Sequence, residues 1–243
     1  MKKLILGAAA LTLTAGLAWS ESHSVTRMGT EGAYPPYNFI NDAGEVDGFE
    51  RELGDELCKR AELNCEWVTN EWDSIIPNLV SSNYDTIIAG MSITEERDEV
   101  IDFTQAYFPP DPSAYVAASA DADVTGGVVA AQTGTIQASH VASSGATLVE
   151  FATPDETIAA VKNGEADAVL ADKAFLAPIV AESGGALAFV GDDIDLGSGI
   201  GVGVRESDTE LKDKLDAAIT SMKEDGTLNA MIAKWFDGMD AGY

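Results

Sequence analysis

Two stretches of this chain repeat one pattern, and that repetition constrains the fold more than any other feature. From Ile75 the sequence reads Ile-Ile-Pro-Asn-Leu-Val, then Ser-Ser-Asn-Tyr, then Asp85-Thr-Ile-Ile-Ala-Gly90. From Thr157 it reads Thr-Ile-Ala-Ala-Val-Lys, then Asn-Gly-Glu-Ala, then Asp167-Ala-Val-Leu-Ala-Asp172. Each is an apolar helix followed by a turn, an Asp and a buried β run, and Ile76 lies as far from Asp85 as Ile158 does from Asp167. The β runs at 86–89 and 168–171, each reached through a helix, predict parallel sheets covered on both faces. Two related α/β units therefore predict two lobes. Ligands of such sheets bind beyond the carboxyl ends of the strands, so the units deliver Gly90 and Asp172 to equivalent places, one per lobe.

The 243 residues suit two lobes of about 100 residues each. Thr153 as N-cap, Pro154 at the first helical position, Glu156 closing a capping box and Gly164 near the stop mark the second helix clearly. Pro109, Pro110 and Pro112 surround Asp111 and interrupt both helix and sheet, which marks a first crossover between lobes. The Gly-rich stretch 197–203 marks a second crossover. Its glycines do not fit GxGxxG and no helix follows directly, which argues against a dinucleotide loop. Ser207 and Glu210 then read as a capping box for a helix carrying Leu211, Leu215, Ile219 and Met222. A C-terminal helix over 228–236, with Trp235, is expected to pack on the first lobe, and Trp67 is expected in core. The expected division is 21–110 with 200–243 as a discontinuous first lobe and 111–199 as the second, joined by two crossover strands.

Residues 1–20 stand apart. Lys2 and Lys3 precede an apolar run ending at Leu17, and Ala18-Trp-Ser20 supplies small residues for cleavage. This is a secretory leader, with cleavage expected after Ser20 or, failing that, Ala18; the run is too short to span a bilayer comfortably. The full chain carries 14 Lys+Arg against 41 Asp+Glu, a net charge of −27, and −29 without the two leader lysines. A surface of that sign repels phosphate backbones, which excludes nucleic acid as a partner. Two cysteines and the separated His23 and His140 do not form the usual four-ligand zinc set, and no metal or cofactor is expected. Export makes Cys58 and Cys65 a disulfide candidate: Phe49, Leu53 and Leu57 define a helix ending near Cys58, and a strand starting at Cys65 returns beside it.

A set of ordered fragments then carries a resemblance over nearly the whole exported chain. Arg27-Met-Gly-Thr-Glu-Gly-Ala-Tyr-Pro-Pro-Tyr, Gly48-Phe-Glu, Trp72-Asp-Ser-Ile-Ile-Pro, Asp85-Thr-Ile-Ile-Ala-Gly-Met-Ser-Ile-Thr-Glu-Glu-Arg97, Ile101-Asp-Phe-Thr and Gln132-Thr-Gly-Thr are among them. Their order resembles that of the polar amino-acid-binding proteins of bacterial ABC importers, extracellular solute-binding protein family 3. The resemblance implies a periplasmic, monomeric, hinge-closing receptor that captures a free amino acid and presents it to a membrane permease.

A dry cleft holding a zwitterion must satisfy a carboxylate and an ammonium. Arg97 is the natural carboxylate clamp because its fork is bidentate and permanently charged. Thr94 as N-cap places it one turn into a helix, the ordinary alternative being a surface pair with Glu96 or Asp98. Thr135, where a strand gives way to a helix, and Ile136 through its backbone N–H, are expected at the same carboxylate. Ile136 departs from the commoner family pattern, which has a hydroxyl there. Asp172 from one lobe, with Ser92 and Gly90 from the other, is expected at the ammonium, Ser92 serving either end. The resemblance makes Tyr34 and Trp72 two aromatic walls around the ligand side chain, with Ala89 and Gln137 nearby. Glu31, following a strand at 25–30, would meet a polar or cationic side-chain tip.

An aromatic sandwich ending in a carboxylate suits lysine, arginine or ornithine. Ala89 and Gly90, small where some basic-amino-acid binders have hydroxyls, leave glutamine or histidine as the alternative. A dehydratase-like periplasmic enzyme would use the same scaffold with Glu31 or Asp172 as the acid, but no GxSxG, HExxH or P-loop is present and His140 has no identifiable triad partners.

Overall fold

The computed structural model describes residues 25–243; the proposed leader, its cleavage point and His23 lie outside them. The repeated pattern becomes two sheets of five strands with matching topology. In space the first runs Asn64–Thr69, Val25–Thr30, Thr86–Ile87, Gly203–Val204, Asp102–Phe103. The second runs Thr147–Phe151, Val128–Gln132, Ala168–Asp172, Ser113–Ala117, Ala188–Ile194.

The repeated aspartates explain why the units match. Asp85 Oδ2 accepts the Arg27 N–H (2.9 Å) while the Asp85 N–H donates to the Arg27 carbonyl (2.9 Å). Asp167 Oδ2 accepts the Val128 N–H (2.8 Å) and its own N–H donates to the Val128 carbonyl (2.8 Å). In both lobes the Asp thus pins the start of the central strand, the one that follows the helix, to its neighbour, Val25–Thr30 in the first sheet and Val128–Gln132 in the second. Asp85 also holds the guanidinium groups of Arg27 and Arg205, which outweigh its burial and draw its carboxyl down to about 2.

Three expectations change. The sheets are mixed: four strands of each run in one direction, but Gly203–Val204 runs antiparallel to both its neighbours, as does Ser113–Ala117. These strands adjoin the crossovers, which enter the sheets directly without an intervening helix to reverse direction. The β run expected at 86–89 is ladder-paired only over Thr86–Ile87. The Ser207–Glu210 capping box does not form. The helix is Thr209–Glu224 with Asp208 at the N-cap and no side-chain cap, because Asp208 is drawn to Arg205 (2.5 Å) and Ser207 donates to Asp208 (3.0 Å).

The other signals act as read. Thr153 and Glu156 form the reciprocal box at the start of Pro154–Asn163, and Gly164 ends it in the left-handed region. Cys58, in the last turns of Phe49–Arg60, is bonded to Cys65. The helices Thr209–Glu224 and Thr227–Trp235 pack on Phe49–Arg60, burying Leu215, Ile219, Met222, Leu228 and Ile232 against Leu53 and Leu57. The crossovers meet at Ile200, whose N–H donates to the Phe108 carbonyl (3.0 Å) and whose carbonyl accepts from Tyr107 (2.8 Å).

Candidate functional site

Between the two sheets lies a narrow cleft whose free cavity is about 30 Å³, room for about two water molecules. It is lined by Glu31, Tyr34, Trp72, Ala89, Gly90, Ser92, Arg97, Gln132, Thr135, Ile136, Gln137 and Asp172. All eleven ligand-site residues singled out from the sequence are therefore in one place, and Gln132 joins them.

On one side stands Arg97. Thr94 caps the short helix Glu95–Asp98 and accepts the Arg97 N–H (3.2 Å), which fixes the backbone from which the side chain extends. One guanidinium N–H group donates to the Ser92 carbonyl (2.8 Å), and the guanidinium lies 5.4 Å from the centre of the Trp72 ring. Among the described residues it forms no salt bridge, so the pair with Glu96 or Asp98 is not made. Burial draws its pKa down to about 10, partly offset by Asp172, and it remains charged at neutral pH. A half-buried guanidinium with a single bonded partner is short of acceptors; a carboxylate supplies two. Nearby, Thr135 caps Ile136–Ser144: its hydroxyl accepts from Ala138 (3.1 Å) and donates to the Gln132 carbonyl (2.7 Å). That hydroxyl is committed to the cap, so the first-turn backbone N–H groups, Ile136 among them, are what it presents to an anion.

Opposite stands Asp172, the last residue of Ala168–Asp172 and 8% exposed. Its Oδ1 accepts from the Gln137 amide (2.8 Å) and its Oδ2 from the Tyr34 hydroxyl (2.9 Å). Burial pushes its carboxyl up to about 7, the buried Asp111 carboxyl adding to the rise against the pull of Tyr34 and Arg97. Gln137, expected beside the ligand side chain, lines the cleft and divides its amide between Asp172 and Ser113 (3.0 Å), which orients the carboxylate.

At a third corner Glu31 accepts from the Gln132 amide (2.6 Å), and burial raises its carboxyl to about 7 despite that bond. Tyr34 and Trp72, expected as the two aromatic walls, both line the cleft, and each ring also has a protein partner. Tyr34 lies flat on Phe175, centroids 4.1 Å apart and planes 11° from parallel, because Phe175 sits in the first turn of the helix that follows Asp172. Trp72 carries Arg97 over its ring and donates to the Gly134 carbonyl (3.4 Å). Ser92 is buried and bonds Arg97 through its carbonyl, Ala89 is buried, and the Gly90 N–H turns inward to Glu50 (2.7 Å).

Sequence reasoning did not find Gln132, Phe175 or Glu50. Gln132 was visible only as the first residue of Gln-Thr-Gly-Thr, and nothing local marks it as the partner of a carboxylate 101 positions away.

Two sheets of one topology joined by two crossovers, with a charged cleft between them, define a two-lobed solute-binding fold. The chain belongs to the bacterial extracellular solute-binding proteins, family 3, whose model matches residues 26–238. It is 77% identical to a periplasmic His/Glu/Gln/Arg/opine family-binding protein from Silicibacter pomeroyi whose crystal structure is in complex with lysine; the match has a TM-score of 0.88 and covers 90% of this chain and 100% of that one. It is also 33% identical to an L-arginine-binding protein of Pseudomonas aeruginosa, with 97% of each chain covered. A lysine/arginine/ornithine-binding periplasmic protein of Escherichia coli is 31% identical, with 98% of each covered.

Proposed function

We propose that this chain is the periplasmic binding component of an amino-acid ABC importer and that it captures a basic amino acid, lysine or arginine. The observation that carries the reading is the charge inventory of the cleft lining: one guanidinium, Arg97, against two carboxyls, Asp172 and Glu31. A basic amino acid is the reverse, one carboxylate and two cations. Arg97 with the Ile136 backbone takes the carboxylate, Asp172 with Ser92 and Gly90 takes the α-ammonium, and Glu31 with Gln132 takes the side-chain cation. A neutral amino acid would leave one buried carboxyl to stay protonated or go unpaired. The lysine complex of the 77% identical relative supports the same ligand class.

The lobes are residues 21–110 with 200–243, and 111–199, hinged where Phe108 and Ile200 pair. Arg97 belongs to the first and Asp172 to the second, so the ligand interacts more strongly with the closed form than the open one and shifts the population toward it. Presentation to a permease follows, with no chemical change to the solute; the leader ends at Ser20, and the working form is a monomer. The test is native mass spectrometry of the purified protein, denaturation, identification of the released molecule, and calorimetric titration with lysine, arginine, ornithine, histidine and glutamine. Lysine or arginine binding most tightly is expected; preference for glutamine or histidine overturns the basic-ligand reading, and a chemically converted product overturns the receptor.

A further inference from the structure

Glu50 is a carboxylate with no exposed surface, outside the cleft lining, in the first turn of Phe49–Arg60. Both of its oxygens are acceptors. Oε1 receives the Gly90 N–H (2.7 Å) and the Tyr107 hydroxyl, and Oε2 receives the Asn38 amide (2.7 Å). Asn38 in turn accepts the Gly32 N–H through its Oδ1 (2.7 Å). One carboxylate thereby joins three elements: the turn that follows Glu31, the strand end that carries Ala89 and Gly90 into the cleft, and Tyr107, next to the Phe108 that pairs with Ile200 at the crossover.

The bond to Gly90 has a directional consequence. A peptide unit is planar and trans, so fixing the Gly90 N–H toward Glu50 turns the Ala89 carbonyl, on the opposite edge of the same plane, away from Glu50. Gly90 holds φ 63°, in the left-handed region that favours glycine, and it has no side chain of its own to anchor the peptide. Glu50 is what pins it.

We propose that Glu50 is a positioning residue for ligand capture: it sets the Ala89–Gly90 peptide and, through Asn38, the Glu31–Gly32 turn, and links both to the crossover strand at Tyr107. The inference rests on the basic-amino-acid reading of the cleft and adds a residue that touches no ligand.

The network makes the test sharp. Glu50→Gln keeps size and shape but offers one acceptor where two are used. With its oxygen toward Gly90 and Tyr107, its new amide NH₂ meets the Asn38 NH₂; if Asn38 turns over, the Asn38 NH₂ meets the Gly32 N–H. With the amide reversed, NH₂ meets the Gly90 N–H. Every arrangement faces a buried donor with a donor. Asn38→Asp combined with Glu50→Gln removes the conflict: the amide now at position 50 donates to the carboxylate now at position 38, whose other oxygen accepts Gly32, while the position-50 oxygen accepts Gly90 and Tyr107.

Lysine titrations of wild type, Glu50→Gln and the double variant, each with its thermal midpoint, carry the experiment. The expected result is binding weaker by about tenfold to a hundredfold in Glu50→Gln, restored to within about threefold in the double variant. A role in stability alone would lower the midpoint of folded Glu50→Gln and leave its affinity unchanged, and that result overturns the proposal. Should Glu50→Gln fail to fold, the double variant decides: folded and binding supports the network, whereas unfolded, or folded without binding, overturns it. Wild-type protein that binds no amino acid overturns the ligand reading itself, which separates the two failures.

Discussion

Replacing Asp172 by Asn should weaken lysine binding by an amount that depends on pH, and both the size and the slope follow from the site. The fold tolerates the change. Tyr34 donates to Asp172 Oδ2 and also accepts the Asp172 N–H (3.2 Å), so its hydroxyl can reverse to accept from the new amide, while the amide oxygen still receives Gln137. What is lost is the charge facing the ammonium. Removing one partner of a buried ion pair costs about 3 to 5 kcal/mol, or roughly 150-fold to 5,000-fold in affinity, and this is the gap expected at pH 8. Burial raises the Asp172 carboxyl to about 7, so at pH 5 the wild-type cleft holds a proton that the ammonium must expel. That ionisation weakens wild-type affinity by about tenfold per pH unit below the pKa. The Asn variant has no such proton, and Glu31, also raised to about 7, titrates in both proteins and drops out of their ratio. The gap should therefore narrow by about a hundredfold between pH 8 and pH 5. Calorimetry in two buffers of different ionisation enthalpy, from pH 5 to 8, measures both the affinities and the protons released. A gap under tenfold at pH 8, or one unchanged at pH 5, would refute the assignment of Asp172 to the ammonium.

Further outcomes are expected from the same geometry. Arg97→Ala should lose at least about a hundredfold in affinity while staying folded, since only the bond to the Ser92 carbonyl and the Trp72 contact go with it; calorimetry and circular dichroism check the two halves. Glu31→Gln should cost about 1.5 to 3 kcal/mol for lysine and far less for glutamine, shrinking the preference between them at fixed salt. Ligand-free protein should lose stability as pH rises from about 4 to about 7. Glu31, Asp172 and Asp111 keep their protons in the folded chain up to about 7, 7 and 6, whereas the unfolded chain releases them near 4, so the extra stability is complete below about pH 4 and is lost as pH rises through those values. Saturating lysine should flatten that decline in a thermal-shift series. Replacing Cys58 and Cys65 together by Ser should lower stability by about 2 to 3 kcal/mol and leave lysine affinity unchanged, because the bridge closes a short loop far from the cleft.

What the sequence disclosed, it disclosed through local chemistry. The helix–turn–Asp–strand repeat could be read directly because Asp85 and Asp167 do the same job at the same spacing. Thr153, Pro154, Glu156 and Gly164 are each chosen by one helix end. Arg97 stood out because a permanently charged fork is what a carboxylate requires, and its Thr94 cap is three residues away. The parts that stayed hidden are set by distant partners. Glu50 shares its helical turn with Glu52 and reads as one more solvated acid; only Asn38, Gly90 and Tyr107 converging on it make it a buried acceptor. Ser207 and Glu210 had the right spacing for a box, but Arg205, recruited by Asp85 from 120 residues away, took Asp208 and moved the helix start. Phe175 is ordinary core by composition, and its stacking on Tyr34 depends on a contact between lobes that no local pattern encodes.

The nesting of one sheet inside the chain of the other fixes an order of biosynthesis. Every strand of the second sheet lies within one uninterrupted stretch from Ser113 to Ile194. The first sheet receives Gly203–Val204, which bridges Thr86–Ile87 to Asp102–Phe103, and the two helices that cover Phe49–Arg60 only from the last part of the chain. A growing polypeptide that emerges amino end first can close the second sheet while the earlier residues still lack a strand and a lid. The half that is made first is thus finished last, which inverts the usual amino-to-carboxyl order of domain folding. Loss of a few dozen residues at the carboxyl end would leave the Asp172 wall standing and strip support from the Arg97 wall, more than a hundred positions upstream.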